Sequence, residues 1–369
     1  MRLLIAAGGT AGHINPGLAV ADKIMEEYPS SEVQFVGTEE GLETNLVPRA
    51  GYKLNFIKIH GFDRSVSLQN LKNICELPLA IHSAAKIIKE FKPDIVIGTG
   101  GYVSGPVLYA AAKRKIPTLV HESNAFPGVT TRILAEYVDT VALGVEDAKN
   151  YLKKPKHLIV TGTPVRGDLL KVDEFEARRI LKLDERPYIV IFGGSLGAVA
   201  FNKTVVDWIC KDGINGKYQI LMGTGKFNRY NDVINRFKEN NVDIEAYDNI
   251  KVCEYIYDMN VVMAAADIVV SRAGASTLCE LTALGKAAIL VPSPYVTGNH
   301  QEHNARALQR GGGAEVILES DFTAGALQKA IDELALDKNK LVGMKQASKK
   351  MGHIDALEVL CREIKRLAG

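Results

Sequence analysis

Two short apolar runs, Leu3-Leu4-Ile5-Ala6-Ala7 and Tyr188-Ile189-Val190-Ile191-Phe192, each end in a glycine-rich turn, and this repeat constrains the fold more than any other feature. The first meets Gly8-Gly9-Thr10-Ala11-Gly12, followed by Leu18, Ala19, Ala21, Ile24 and Met25 at helical spacing. The second meets Gly193-Gly194-Ser195-Leu196-Gly197-Ala198. Further runs at 32–36, 95–97, 118–120, 140–143 and 158–160, then at 219–222, 250–253, 268–271 and 288–291, read as strands, most of them with helical stretches between. Alternation of this kind predicts parallel sheets covered by helices on both faces, and the restart predicts two Rossmann-like, doubly wound α/β domains. The 369 residues agree, because single cores tend to split beyond roughly 250 to 300. The expected limits are 1–162, 163–345 and a helical segment 346–369. Its amphipathic part, 357–367, either lies on the surface or returns to the first domain.

Composition removes several classes of function. Lys and Arg number 45 against 43 Asp and Glu, with no polybasic arm in either half, which disfavours a nucleic-acid partner and makes any anion site local. Five scattered cysteines without a C-x-x-C pair point to free thiols in a reducing compartment. No apolar run reaches the roughly 18 residues of a membrane span, and the first run meets glycine before a signal sequence develops.

Open α/β sheets bind ligands beyond the carboxyl ends of their strands, so two such domains facing one another set a cleft between two groups of loops. Gly8-Gly9-Thr10-Ala11-Gly12-His13, Gly98-Thr99-Gly100-Gly101 and Gly193-Gly194-Ser195-Leu196-Gly197 occupy such ends, where backbone amides and helix N-termini can approach phosphate. None is a Walker loop and the first is not a dinucleotide G-x-G-x-x-G, so a nucleotide-sugar enzyme is favoured over a dehydrogenase. Downstream, Ser271-Arg272-Ala273-Gly274-Ala275-Ser276-Thr277-Leu278-Cys279-Glu280 joins a strand to a helix. Ser276 and Thr277 at that helix start suit a diphosphate, and Glu280, one turn on, suits the two hydroxyls of a ribose. The segment Gly298 to Asn304 adds polar groups suited to sugar hydroxyls. His300 and His303 lack the H-E-x-x-H spacing, and the chain has no Asp-x-Asp, so neither a metal nor a cofactor is expected. Leaving-group charge then falls to helix N-termini and Arg166.

Taken together, residues 8–17, His121-Glu122-Ser123-Asn124, 193–198 and 272–280 resemble the MurG family, and the likeness runs from Arg2 to at least Leu308 in the right order. The family transfers N-acetylglucosamine from UDP-GlcNAc to undecaprenyl-pyrophosphoryl-MurNAc-pentapeptide. The resemblance implies the GT-B architecture, inversion at the anomeric carbon, no obligatory metal, and a peripheral enzyme on the cytoplasmic side of the cell membrane. It makes the first domain acceptor-binding and membrane-associating, and the second the donor-binding domain. By the same resemblance the backbone of Ile256 reads uracil, Glu280 the ribose, Ser195 and Thr277 the diphosphate with Arg166 nearby, and Ala275 and Gln301 the sugar hydroxyls. Asn124 contacts the donor sugar from the first domain. Thr10, Gly12 and Ser276 complete the substrate-binding set, and Gly100, Gly101 and Tyr102 are expected at the acceptor.

Transfer with inversion needs a base for the acceptor hydroxyl. His13 is one candidate and Glu122, at a strand end beside Asn124, the other. Two different readings compete: a UDP-GlcNAc 2-epimerase, which needs no second substrate, and a non-catalytic nucleotide-sugar-binding subunit. For contact with the bilayer, Leu68, Leu71, Ile74, Leu77, Ile81, Ile87 and Ile88, with Lys72, Lys86, Lys89 and Lys92, form a candidate apolar face rimmed by lysines. Pro78 complicates a single continuous helix here, so the exposed part is expected to be only 71–79. The basic helix with Arg362, Lys365 and Arg366 is the alternative membrane face.

Overall fold

A strand covered on both faces has no polar side, and β1 (Arg2–Ala7) is built so: from Leu3 to Ala7 every residue is fully buried. Its side chains divide between two cores. Leu3 and Ile5 pack with Ile14, Val20 and Ile24 of the helix Ala11–Glu27, whereas Leu4 and Ala6 pack with Ile88, Val107 and Val120 on the other face. The computed structural model describes residues 1–60, 68–165, 169–194, 197–225 and 229–369, with the backbone alone at 68–75 and 297.

The chain forms two units, Met1–Val165 with His353–Gly369, and Arg166–Gly352. In the first, β1 is joined by β2 (Glu32–Gly37), β3 (Lys53–Phe56), β4 (Ile95–Gly100), β5 (Thr118–Glu122), β6 (Thr140–Leu143) and β7 (Leu158–Val160) in the order β3-β2-β1-β4-β5-β6-β7, every pair parallel. The second holds β8 (Tyr188–Phe192), β9 (Gln219–Gly223), β10 (Ile250–Cys253), β11 (Ile268–Ser271), β12 (Ala287–Leu290) and β13 (Ala314–Val316) in the order β10-β9-β8-β11-β12-β13, also parallel. Each order reverses once, between β1 and β4 and between β8 and β11, and these are the switch points at which such sheets take ligands.

Sequence periodicity misses β3 and β13, and both are edge strands. Lys53-Leu54-Asn55-Phe56 is half-exposed and Ala314-Glu315-Val316 spans three residues, so neither carries the buried apolar run of the inner strands. The helix Leu68–Phe91 corrects a second expectation: it continues through Pro78. Pro78 is exposed, so the lost N–H removes one bond on the solvent side of the helix without opening its packed face. Along the same helix Ile88 is buried and Ile81 and Ile87 pack against the first core, which removes them from the candidate membrane face. Leu77 and Leu79 stay exposed. The side chains of Leu68, Leu71, Lys72 and Ile74 lie outside the described residues.

The helix Ala356–Ala368 packs in the first unit, with Leu360, Cys361 and Ile364 buried beside Leu3 and Ile5. Two of its basic side chains are engaged, Lys365 with Glu27 and Arg366 with Glu363 through two bonds of 2.7 and 2.8 Å, while Arg362 stays exposed. Among the described residues no helix is long and apolar enough to cross a membrane.

Candidate active site

Both strands at the first switch point end in glycine turns, and the turns interlock. A Cβ on Gly100 would lie 2.4 Å from Cδ2 of His13, and one on Gly101 2.4 Å from the carbonyl oxygen of Gly8. Gly100 and Gly101 therefore make room for the His13 ring and for the turn that carries it. Nδ1 of His13 is 3.1 Å from the Gly8 carbonyl and 3.3 Å from the Thr10 hydroxyl, and the His13 carbonyl accepts the Thr99 hydroxyl at 2.7 Å. A carbonyl only accepts, so Nδ1 carries the proton and Nε2 the lone pair. Nε2 has no protein partner among the described residues. Thr10 is the N-cap of the helix Ala11–Glu27, and no side chain caps that end, so its first amides, Gly12 included, have no capping side chain. Tyr102 lines a neighbouring cavity of about 460 Å³ together with Glu39, Glu40, Phe56, Lys58 and His60.

A residue that sequence reasoning missed lies under this turn. Glu43, wholly buried at the start of the helix Glu43–Arg49, accepts the Gly9 N–H at 2.9 Å through Oε2. Its Oε1 accepts the N–H and the hydroxyl of Thr38 at 2.9 and 2.8 Å. In the sequence Glu43 is one of three acids within five residues, Glu39, Glu40 and Glu43, which reads as a solvated loop. The signal was in the glycines: a Cβ on Gly8, Gly37 or Gly41 would fall 2.8, 2.5 or 1.9 Å from this one side chain.

At the end of β5, Glu122 is 6% exposed and already committed. Oε1 accepts the backbone and side-chain N–H of Asn124, both at 3.0 Å, and Oε2 accepts the Gly128 N–H at 3.0 Å. It thereby holds the turn 122–128 and orients Asn124. His121, one residue back, is buried with its Nε2 2.9 Å from the Gly162 carbonyl, and burial holds its pKa below the ordinary value despite that carbonyl and nearby Glu122.

In the second unit β11 leads through Ala273-Gly274 into the helix Ala275–Leu284, whose N-cap is Gly274 and which no side chain caps. Leu278, Leu281 and Thr282 face the core, whereas Ala275, Ser276, Thr277 and Glu280 are half-buried on the open side. The helix start thus offers amides and two hydroxyls, with a carboxylate one turn on. Buried ties fix the loops around it. Arg272 donates to the Val291 carbonyl at 3.1 Å, pairs with Glu319 and stacks over Phe201, and Asn304 donates to the Ala273 carbonyl at 3.3 Å. Gln301 accepts the Ser293 N–H at 2.9 Å through its carbonyl oxygen, and its amide nitrogen has no protein partner among the described residues. Ile256 is buried against Gly223, and the bonds Thr224 N–H to Cys253 and Gly225 N–H to Glu254, both 2.9 Å, carry β9 and β10 forward to present the 254–256 backbone at the strand ends. Arg166 and Ser195 lie outside the described residues. Among the described residues no group of three His, Cys, Asp or Glu side chains is placed to hold a metal.

Residues 3–143 match the glycosyltransferase family 28 N-terminal domain and residues 188–360 the glycosyltransferase family 28 C-terminal domain, which with the two parallel sheets defines a GT-B glycosyltransferase. The UDP-N-acetylglucosamine–N-acetylmuramyl-(pentapeptide) pyrophosphoryl-undecaprenol N-acetylglucosamine transferase of Acetivibrio thermocellus is 47% identical over 366 residues, 99% of this chain and 98% of its own. The crystal structure of Acinetobacter baumannii MurG, 27% identical, superposes with a TM-score of 0.81 over 99% of each chain. The chain belongs to the MurG family. UDP-GlcNAc 2-epimerase from Neisseria meningitidis, bound to UDP-GlcNAc, covers 99% of this chain and 100% of its own at a TM-score of 0.67 and 16% identity, a likeness of fold alone.

Proposed function

We propose that the chain transfers N-acetylglucosamine from UDP-GlcNAc to the C4 hydroxyl of MurNAc in undecaprenyl-pyrophosphoryl-MurNAc-pentapeptide, the lipid I to lipid II step of peptidoglycan synthesis, with His13 as base. Identity of 47% along the whole length of a transferase of that name carries the reaction, and the unpartnered Nε2 of His13 supports the choice of base. Glu122 is the weaker base, because three N–H groups already occupy its oxygens.

In this reading Nε2 takes the proton of the acceptor hydroxyl as its oxygen attacks the anomeric carbon from the face opposite UDP. The bond from that carbon to the β-phosphate oxygen breaks, and UDP leaves with the electron pair. Amides at the uncapped helix start beside Ser276 and Thr277, with Ser195 and Arg166, meet the growing charge on the diphosphate. Glu280 holds the ribose, the Ile256 backbone the uracil, Ala275, Gln301 and Asn124 the sugar, and the amides around Thr10 and Gly12 with Gly100, Gly101 and Tyr102 the acceptor. The reading uses no metal and no cofactor. Exposed Leu77 and Leu79, with Lys86 and Lys89 on the same helix, seat the first unit on the cytoplasmic side of an anionic membrane.

The test supplies UDP-GlcNAc and the lipid-linked MurNAc-pentapeptide in excess EDTA and identifies the products. Glycosylated lipid is expected; UDP-ManNAc in its place would make the chain an epimerase, and binding without turnover a non-catalytic subunit. Loss of transfer restored only by magnesium or manganese would overturn the metal-free chemistry. His13→Ala is expected to lower kcat by roughly 10² to 10⁴ with donor KM nearly unchanged. A rise in acceptor KM alone would remove His13 as base. Glu280→Ala is expected to weaken UDP by about 1.5 to 3 kcal/mol for each charge-assisted bond lost, and unchanged UDP affinity in a folded variant removes the ribose assignment.

A further inference from the structure

We propose that Glu43 is a positioning residue for His13, acting through the peptide group that joins Gly8 to Gly9. The inference rests on the reading of His13 as base and adds to it the group that orients the base. The Gly9 N–H, which Oε2 of Glu43 accepts at 2.9 Å, and the Gly8 carbonyl, which lies 3.1 Å from His13 Nδ1, are the two ends of one peptide group. A carboxylate at the N–H end polarises that group and increases the negative charge on its carbonyl oxygen. The oxygen then holds the Nδ1 proton more firmly, fixing the plane of the ring and leaving the lone pair on Nε2. In the Ser-His-Asp arrangement a carboxylate orients the imidazole by direct contact; here one peptide group lies between them.

The surroundings of Glu43 fit this use of its charge. The side chain is fully buried and pairs with no Lys or Arg among the described residues; it accepts from the N–H of Gly9 and from the N–H and hydroxyl of Thr38. Burying a carboxylate without a cation is expensive, and a hydrophobic side chain would fill the same space without that penalty. Space for the carboxylate is instead kept by Gly8, Gly37 and Gly41, each of which would meet Glu43 within 2.8 Å if it carried a Cβ. A merely structural tie between the two turns would change stability on removal and leave the imidazole proton where it was.

Nitrogen-15 NMR of histidine-labelled protein, with the His13 signal assigned by its loss in His13→Ala, reads that proton directly. In the wild type the neutral ring is expected with its proton on Nδ1. In Glu43→Gln, where an amide NH2 must face one set of N–H donors, the signal is expected to move toward a mixture of tautomers, and kcat to fall on the order of 10- to 100-fold with donor KM unchanged. A wild-type ring protonated on Nε2, or a folded Glu43→Gln with wild-type tautomer and kcat, overturns the proposal. If Glu43→Gln does not fold, Glu43→Asp replaces it: its carboxylate falls short of the Gly9 N–H by one methylene, with the same expected outcome and the same contrary one. The two readings fail separately. Full kcat in His13→Ala ends the role of His13 as base and leaves the tautomer result standing, whereas a proton on Nε2 ends the role of Glu43 even when His13→Ala is inactive.

Discussion

Replacing Gly101 by Ala loads the interlocked turns at their tightest point, and the structure separates two contributions to the damage. Gly101 has φ +80°, where a side chain is strained by about 1 to 3 kcal/mol. The added Cβ also falls 2.4 Å from the Gly8 carbonyl oxygen, a backbone atom that moves only with its turn, and such overpacking costs typically about 1 to 3 kcal/mol. Together they predict a loss of about 2 to 6 kcal/mol, and at about 2 to 4 °C per kcal/mol the first unit should melt at least about 4 °C lower. Gly194 provides the internal control: φ is +97° there and a Cβ meets nothing within 4 Å, so Gly194→Ala carries the strain without the collision. Calorimetry of both variants, with kcat measured well below each melting point, checks the division. Gly101→Ala should also lose turnover, because the displaced carbonyl is the one His13 bonds. Equal destabilisation by the two substitutions, with full kcat in Gly101→Ala, would refute the argument that the turns are coupled.

Two further predictions rest on the charge and apolar surface of single units. In the second unit burial alone would raise the pKa of Asp267, but the Tyr188 N–H at 3.0 Å, Lys345 at 3.0 Å and Arg178 at 2.9 Å outweigh it and hold the carboxyl below its ordinary value. Its stabilisation is therefore complete above the unfolded value of about 3.9 and is lost as pH falls through the lower folded value. Asp267→Asn should cost about 3 to 5 kcal/mol at pH 7 in urea unfolding, with the gap to wild type narrowing as pH falls below about 3.9; a gap that does not narrow there would show that charge is not its source. In the first unit Leu77→Ser with Leu79→Ser should weaken binding to anionic vesicles at least about tenfold, since a buried Leu side chain contributes about 1.5 to 3 kcal/mol. Undiminished sedimentation with the vesicles would place the membrane face elsewhere.

The parts of the fold legible in the sequence are those where one residue type serves one local purpose. Leu3 to Ala7 and Tyr188 to Phe192 announce buried strands because burial on both faces demands apolar side chains throughout, and the glycines after them announce turns. Residues serving distant partners were hidden. Glu43 meets Gly9 from 34 positions away, Arg272 reaches Val291 and Glu319, and Asn304 reaches Ala273, so their neighbours in the chain say nothing of their contacts. Leu77, Ile81 and Ile88 occupy one helix with similar chemistry and different fates, because the 3.6-residue period marks an apolar side of a helix without saying which layer covers it. Pro78 misled through a sound rule: a lost N–H is serious inside a packed helix and tolerable on an exposed turn.

The return of the helix Ala356–Ala368 to the first unit bears on the order in which the molecule matures. Leu360, Cys361 and Ile364 complete the layer over Leu3 and Ile5, yet in the chain they follow every residue of the second unit. During synthesis at roughly 5 to 20 residues per second, the ribosome delivers that layer only after residues 166–352 have been made. One face of the first sheet, with Ile14, Val20 and Ile24, waits partly uncovered over that interval, while the second unit, continuous in sequence, has all it needs to fold. Nascent chains halted before residue 356 should therefore present a sticky, protease-sensitive first half beside a settled second half, the reverse of the usual progression from the first domain made to the last.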